Sequence, residues 1–155
     1  MPLISFDLLN RLPKVELHCH LDGSLRTESI IDQAERDEIK LPSHELDTLN
    51  RHLRIGKKRG SLEEYIQRFD ITLSVMQTPE SLKRFAYELI EDVAKENVRY
   101  IEVRYSPILH TQKGMTLDTA LESVQKGLKK GEKIFGVKSG IIVCGIRHIS
   151  PDVSL

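Results

Sequence analysis

The sequence predicts an α/β fold in which short parallel strands are separated by amphipathic helices. Three observations carry that prediction. The coarse order is strand, helices, strand, helix, strand, and strands that alternate with helices pair in parallel through right-handed crossovers. Between the strands, apolar residues recur at helical spacing, as in Leu62, Tyr65, Ile66, Phe69, Leu73 and Met76. The same stretches carry helix start and stop signals. A closed barrel and an open doubly wound sheet both fit this order, and periodicity does not choose between them. At 155 residues the chain suits one domain with a real core, but a complete (β/α)8 barrel typically takes about 250.

The first strand runs from about Lys14 to Leu21. A helix follows Thr27, with Ile30, Ile31 and Ala34 on its apolar stripe, and a polar connection then spans Lys40 to Gly60. Ser61 opens the next helix with a capping box, Ser61-x-x-Glu64. Thr78-Pro79 opens another, a cap residue followed by proline at the first helical position. Its buried face is Leu82, Phe85, Ala86, Leu89, Ile90 and Val93. Val98 to Tyr105 is the second strand, stopped by Pro107. Leu117 to Phe135 is a helix ended by Gly136. Gly140 to Ile146 is the third strand. No repeat or low-complexity segment interrupts the order.

Charge excludes some classes of partner. Lys and Arg number 23, Asp and Glu also 23, so nothing draws the chain to nucleic acid or an anionic membrane. The basic cluster from Arg51 to Arg59 lacks interleaved aromatics and reads as a solvated loop. Cys19 and Cys144 sit far apart in apolar strand contexts and read as buried free thiols in a reducing compartment. The apolar start, Leu3 to Leu9, is broken by Ser5 and Asp7, so it is no secretory signal. The longest apolar run, Ile141 to Ile146, is far short of a membrane span. A soluble cytoplasmic protein is the expectation.

The most informative segment is Leu12-Pro13-Lys14-Val15-Glu16-Leu17-His18-Cys19-His20-Leu21-Asp22-Gly23-Ser24. Alternate side chains of a strand share a face, so His18 and His20 point one way and Leu17, Cys19 and Leu21 the other. Two imidazoles at a strand end suit a divalent metal such as zinc. An unrelated His-x-His pair, each ring merely hydrogen-bonded, has the same spacing.

The extended segment resembles the first strand of the adenosine deaminase family, zinc-dependent members of the amidohydrolases. Ser61-Leu62-Glu63-Glu64-Tyr65-Ile66-Gln67-Arg68-Phe69-Asp70 is similar to the family's pocket helix. Tyr100-Ile101-Glu102-Val103-Arg104-Tyr105-Ser106-Pro107 is similar to its second strand, and Cys144-Gly145-Ile146-Arg147-His148 to the end of its third. The resemblance covers nearly the whole chain and favours the barrel, with residues 1–155 as the N-terminal part of a single metal-dependent deaminase domain. The TIM-type (β/α)8 barrel would take about its first three strands from this chain.

The resemblance implies a function: hydrolysis of adenosine to inosine and ammonia, with a zinc-activated water attacking C6 of the purine and a glutamate protonating the ring. It implies His18 and His20 as zinc ligands, His20 and Asp22 facing the substrate, and Asp22 holding a ribose hydroxyl. It implies Leu62, Tyr65, Ile66 and Phe69 as an apolar roof over the purine, and Ile146 as a further substrate contact. Core packing explains those apolar residues equally well, and a turn or cap role explains Asp22. Free-base relatives tend to carry glutamate in place of Asp22, so the aspartate favours a nucleoside. Gly23 is expected to serve the turn.

The family's third metal histidine, its His-Ala-Gly-Glu segment with the acid/base glutamate, its further histidine and its Asp-Asp pair are absent up to Leu155. No catalytic acid/base is therefore expected within this chain, and the chain alone is expected to be inactive. Three barrel strands would leave two open edges that invite association, whereas a full-length form is expected to be monomeric. Two alternatives stay open: an amidohydrolase acting on adenine or a modified adenosine phosphate, and an inactive short form that binds purine or metal. The Pro-Cys-x-x-Cys of polynucleotide deaminases is absent.

Within the strands, Glu16 is expected to share the face of His18 and His20, and Glu102, Arg104 and Ser106 a face of strand two. An ion pair of Arg104 with Glu16 or Glu102 follows as an expectation, since inward charges must pair or stay wet. His44, His52 and His110 read as surface residues, and His148 as a less favoured third ligand.

Overall fold

A three-stranded parallel sheet organises the chain in the computed structural model, which describes residues 5–54, 62–147 and 149–154, with the backbone alone for 62–67, 151 and 154. Its strands are β1 (Lys14–His20), β2 (Val98–Tyr105) and β3 (Lys138–Val143), in the order β1-β2-β3. The helices are α1 (Phe6–Arg11), α2 (Thr27–Arg36), α3 (Leu46–Leu53), α4 (Leu62–Ser74), α5 (Pro79–Lys95), α6 (Leu117–Phe135) and α7 (Pro151–Ser154). A 3-10 turn spans Pro107–His110. Each crossover steps one strand in the same direction, and right-handed connections of that kind put their helices on one face of the sheet. Among these three strands there is no reversal of direction of the sort that marks a doubly wound sheet.

Alternation along β2 separates the two faces. Ile101 and Val103 are fully buried and Tyr105 nearly so, while Tyr100, Glu102 and Arg104 between them are partly exposed. The core on the helical side collects Leu82, Phe85, Ala86 and Ile90 of α5, Ala120, Val124 and Leu128 of α6, and Leu21 just beyond β1. Caps explain where the helices start and stop. Thr78 and Ser81 form a reciprocal capping box ahead of α5, with Pro79 in its first turn. Thr116 caps α6, which ends at Gly136 in the left-handed conformation with φ of 74°.

Several expectations need correction. The connection from Lys40 to Gly60 is not all loop: it contains α3, capped by Glu45, whose side chain accepts from Thr48 N. The third strand starts at Lys138 and ends at Val143 rather than running from Gly140 to Ile146. Pairing with β2, from Tyr100 beside Lys138 to Tyr105 beside Val143, sets those ends, not the apolar run. Met76 lies past the end of α4, though it is fully buried. Cys19 and Cys144 are free but only half-buried. Gly23 makes its turn without a left-handed backbone. The Ser61 capping box and Lys57 to Arg59 lie outside the described residues. No helix among the described residues is long and apolar enough to cross a membrane.

His110 differs most from expectation: it is 1 % exposed, not a surface residue. Its Nδ1 pairs with the Met76 carbonyl at 3.0 Å and its ring packs against Tyr105. Burial disfavours the imidazolium and lowers the pKa from 6.5 to about 4. In the unfolded chain the ring takes its proton near 6.5, so between there and about 4 the unfolded state binds more protons. Stability is therefore lost as pH falls through this window, by roughly 3 kcal/mol for a shift of this size. Denaturant titrations at pH 7 and near pH 4 should show that extra loss in the unaltered chain and not in His110→Gln. Equal pH dependence in the two would refute the assignment.

Candidate functional site

The C-terminal ends of the three strands bring the candidate residues together. The β1–β2 register sets His20 beside Arg104 and Cys19 beside Val103. Between Glu16 and Cys19 the register is irregular: Glu16 faces Ile101, and Leu17 and His18 fall between paired positions. An extra residue of this kind bends a strand and re-aims its side chains, and such irregularities collect next to active sites. His18 is exposed and His20 half-buried, with ring centroids 5.2 Å apart.

Both rings converge on one nitrogen. Arg104 Nη1 lies 3.1 Å from His18 Nε2 and 3.1 Å from His20 Nε2. A guanidinium only donates, so both Nε2 atoms act as acceptors toward it. The two lone pairs thus already meet at a single positive centre, as a shared metal ion requires. The donor set fits zinc, for which imidazole nitrogen is a preferred ligand. Among the described residues no group of three or more His, Cys, Asp and Glu gathers to hold a metal, so these two are a partial ligand set.

Burial lowers the His20 pKa first and the Arg104 charge adds to it, while Asp22 opposes both. The neutral ring is thereby favoured, the form that binds metal. Asp22 is 9 % exposed, with Oδ1 3.7 Å from His20 Nδ1. That is beyond a hydrogen bond, and Oδ1 has no hydrogen-bond partner among the described residues. Burial pushes the Asp22 carboxyl up, against the pull of His20 and Arg104. A buried carboxylate oxygen without a donor is costly in a folded protein and well placed to accept from a ligand.

Asp22 opens onto a cavity of about 410 Å³ lined by Gly23, Leu25, Leu53, Arg68 and Phe69 among others. The Phe69 ring on α4 stands where a Cβ on Gly23 would touch it at 3.6 Å, so the helix closes over the end of β1. This unites Asp22, Gly23 and Phe69 from the sequence expectation. Arg68, which sequence reasoning passed over, lines the same cavity, and its Nη1 is buried without a hydrogen-bond partner among the described residues. Its place in the segment that resembles the pocket helix, one residue before Phe69, was the available signal. The side chains of Leu62, Tyr65 and Ile66, and all of His148, lie outside the described residues. Ile146 is half-buried beyond β3 and is not among the cavity's lining residues.

The expected ion pairs of Arg104 are not formed. Glu16 Oε1 instead accepts from the His18 backbone N–H at 3.0 Å, and Glu102 Oε1 accepts from Tyr100 OH at 3.1 Å. Ser106 is buried, with no hydrogen-bond partner for its hydroxyl among the described residues. Ser24 Oγ donates to the His20 carbonyl at 2.6 Å and contacts Cys19 Sγ at 3.3 Å, fixing the turn after the two histidines.

Known proteins match this sequence and fold. The adenosine deaminase family model matches residues 13–154. An adenosine deaminase of Clostridium perfringens (strain SM101 / Type A) is 50 % identical over 146 residues, covering 94 % of this chain and 44 % of the relative. One from Clostridium botulinum (strain Langeland) is 48 % identical over 139 residues, covering 90 % and 42 %. Among solved structures, a zinc-bound amidohydrolase from Burkhoderia ambifaria aligns with TM-score 0.79 and 27 % identity, over 97 % of this chain and 41 % of that one. An adenine deaminase from Arthrobacter aurescens aligns with TM-score 0.78 and 29 % identity, over 89 % and 41 %. The chain thus spans less than half the length of the relatives it matches. Its sheet and helices are part of a (β/α)8 barrel of the amidohydrolase type.

Proposed function

The chain belongs to the adenosine deaminase family, and on that premise we propose that it contributes the metal- and sugar-binding end of a zinc-dependent hydrolase that converts adenosine to inosine and ammonia. The observation that carries this reading is the convergence of the His18 and His20 Nε2 atoms on one cationic nitrogen, beside the buried, unpartnered Oδ1 of Asp22. His18 and His20 hold the metal. Zinc lowers the pKa of water toward neutrality and so provides a nucleophile at working pH. Asp22 accepts from a sugar hydroxyl and so orients the nucleoside across the cavity. Phe69, with Leu62, Tyr65 and Ile66 on the same helix, forms the apolar wall that keeps bulk water from the purine. Ile146 adds a substrate contact from the end of β3. Salvage of purines in the cytoplasm is the cellular role that fits this chemistry.

The adenine deaminase among the structural neighbours supports a second reading, in which the free base is the substrate. Asp22 favours the nucleoside, because adenine has no sugar hydroxyl to satisfy the buried carboxylate. The acid/base glutamate and remaining ligands implied by the family do not occur in these 155 residues. The isolated chain is therefore expected to release no ammonia from adenosine, even with zinc supplied. Robust inosine formation by the isolated chain would overturn the division of labour proposed here.

A further inference from the structure

Arg104 lies on the partly exposed face of β2, and its charge reaches Asp22 only from a distance. Among the described residues no carboxylate lies within ion-pair distance of it. Its Nη1 instead reaches both His18 Nε2 and His20 Nε2 at 3.1 Å, and its Nη2 donates to Cys144 Sγ at 3.2 Å. The two acids expected to pair with it are engaged elsewhere, Glu16 on the His18 N–H and Glu102 on Tyr100. Register fixes the arrangement, since Arg104 is the direct β2 neighbour of His20.

Each imidazole has one in-plane lone pair in its neutral form, and each uses it here toward the guanidinium. The proton of each ring is then on Nδ1. A divalent cation bound through Nε2 needs the same lone pair and the same tautomer. One lone pair serves one partner, so guanidinium and metal exclude each other at both atoms. Two positive centres in one small cleft also repel. The Cys144 contact gives the side chain a second anchor, just past the end of β3, that does not involve the histidines.

We propose that Arg104 is a built-in competitor for the metal: its guanidinium holds the two histidine nitrogens and must leave them before a divalent cation can bind. The proposal rests on the reading of His18 and His20 as metal ligands. It assigns Arg104 a positioning role and sets the metal affinity of this pair below what the two imidazoles alone would give.

Zinc binding to the 155-residue chain, followed by calorimetry, separates the possibilities. Replacing Arg104 by methionine keeps the length and removes the charge, and is expected to lower the zinc Kd by about tenfold or more. Arg104→Lys, which keeps a charge without the planar fork, should fall between. A purely structural role for Arg104 makes the opposite forecast, weaker binding on its removal. If the unaltered chain binds zinc, a double His18→Asn, His20→Asn variant does not, and Arg104→Met binds no tighter while its circular dichroism is native, the competitor assignment fails and the metal site stands. If the unaltered and double-histidine chains bind zinc alike, the metal site itself fails, and the competitor assignment with it. A second readout needs no variant: zinc should speed hydrogen exchange at the Arg104 guanidinium as it loses both histidines. Unchanged exchange at zinc saturation would overturn the proposal.

Discussion

Gly127→Ala should destabilise the chain by about 2 kcal/mol or more, the cost of overpacking a well-fitted contact. A Cβ at Gly127 would lie 2.3 Å from the Lys83 carbonyl oxygen and 2.8 Å from the Ala86 Cβ. One turn on, a Cβ at Gly131 would lie 2.6 Å from the Ile90 Cβ. The Lys83 oxygen belongs to the backbone of α5 and cannot rotate away, so the two helices would have to separate. Their contact covers the sheet face that holds Ile101 and Val103. The sign makes the test sharp, because intrinsic propensity alone says that alanine in a helix interior gains up to about 1 kcal/mol over glycine. Denaturant midpoints of Gly127→Ala against the exposed-site control Lys126→Ala would decide. A Gly127→Ala chain as stable as the unaltered one would mean that α5 and α6 are not packed this closely.

The second large effect concerns Asp22. If the protein from its source hydrolyses adenosine as proposed, Asp22→Ala in it should raise KM for adenosine by about 10- to 100-fold, as expected for losing a hydrogen bond to a charged group. Turnover of adenine, which has no sugar, should change little. The variant must be compared at saturating zinc, because Asp22 Oδ1 also lies 3.7 Å from His20 Nδ1, on a ring proposed to hold the metal. Under those conditions a fall in kcat at constant KM would place Asp22 in the chemical step rather than on the sugar. Equal losses for adenosine and adenine would remove the sugar contact from the account.

Parts of this were legible from residue order alone. The alternation of β1 was enough to put His18 and His20 on one face, and Thr78-Pro79 and Gly136 marked the ends of α5 and α6 where the backbone indeed turns. Other parts depend on neighbours distant in sequence. His110 looks like a loop histidine, yet its burial is made by Tyr105 and by a carbonyl 34 residues away. The short α3 buries only Leu49, so a polar stretch hid it. The partners of Arg104 could not be chosen by alternation. Strict alternation turns Glu16 toward Arg104, but the irregular register around Leu17 and His18 leaves Glu16 bonding its own strand. Arg68 carried no motif of its own, and only the closure of α4 over Gly23 brings it to the cavity beside Asp22.

The central claim is that these residues hold the metal of an adenosine-hydrolysing enzyme. The direct measurement is ammonia release from adenosine by the protein purified from its source, with its intact mass and metal content read on the same fraction. The account expects activity to travel with a polypeptide that contains this sequence and has a mass of roughly 30 kDa or more, as a complete barrel requires. Chelation should abolish that activity, zinc should restore it, and His20→Asn should prevent the restoration. A polypeptide carrying this sequence that binds zinc yet releases no ammonia from adenosine, or that stays active once stripped of metal, would contradict the account.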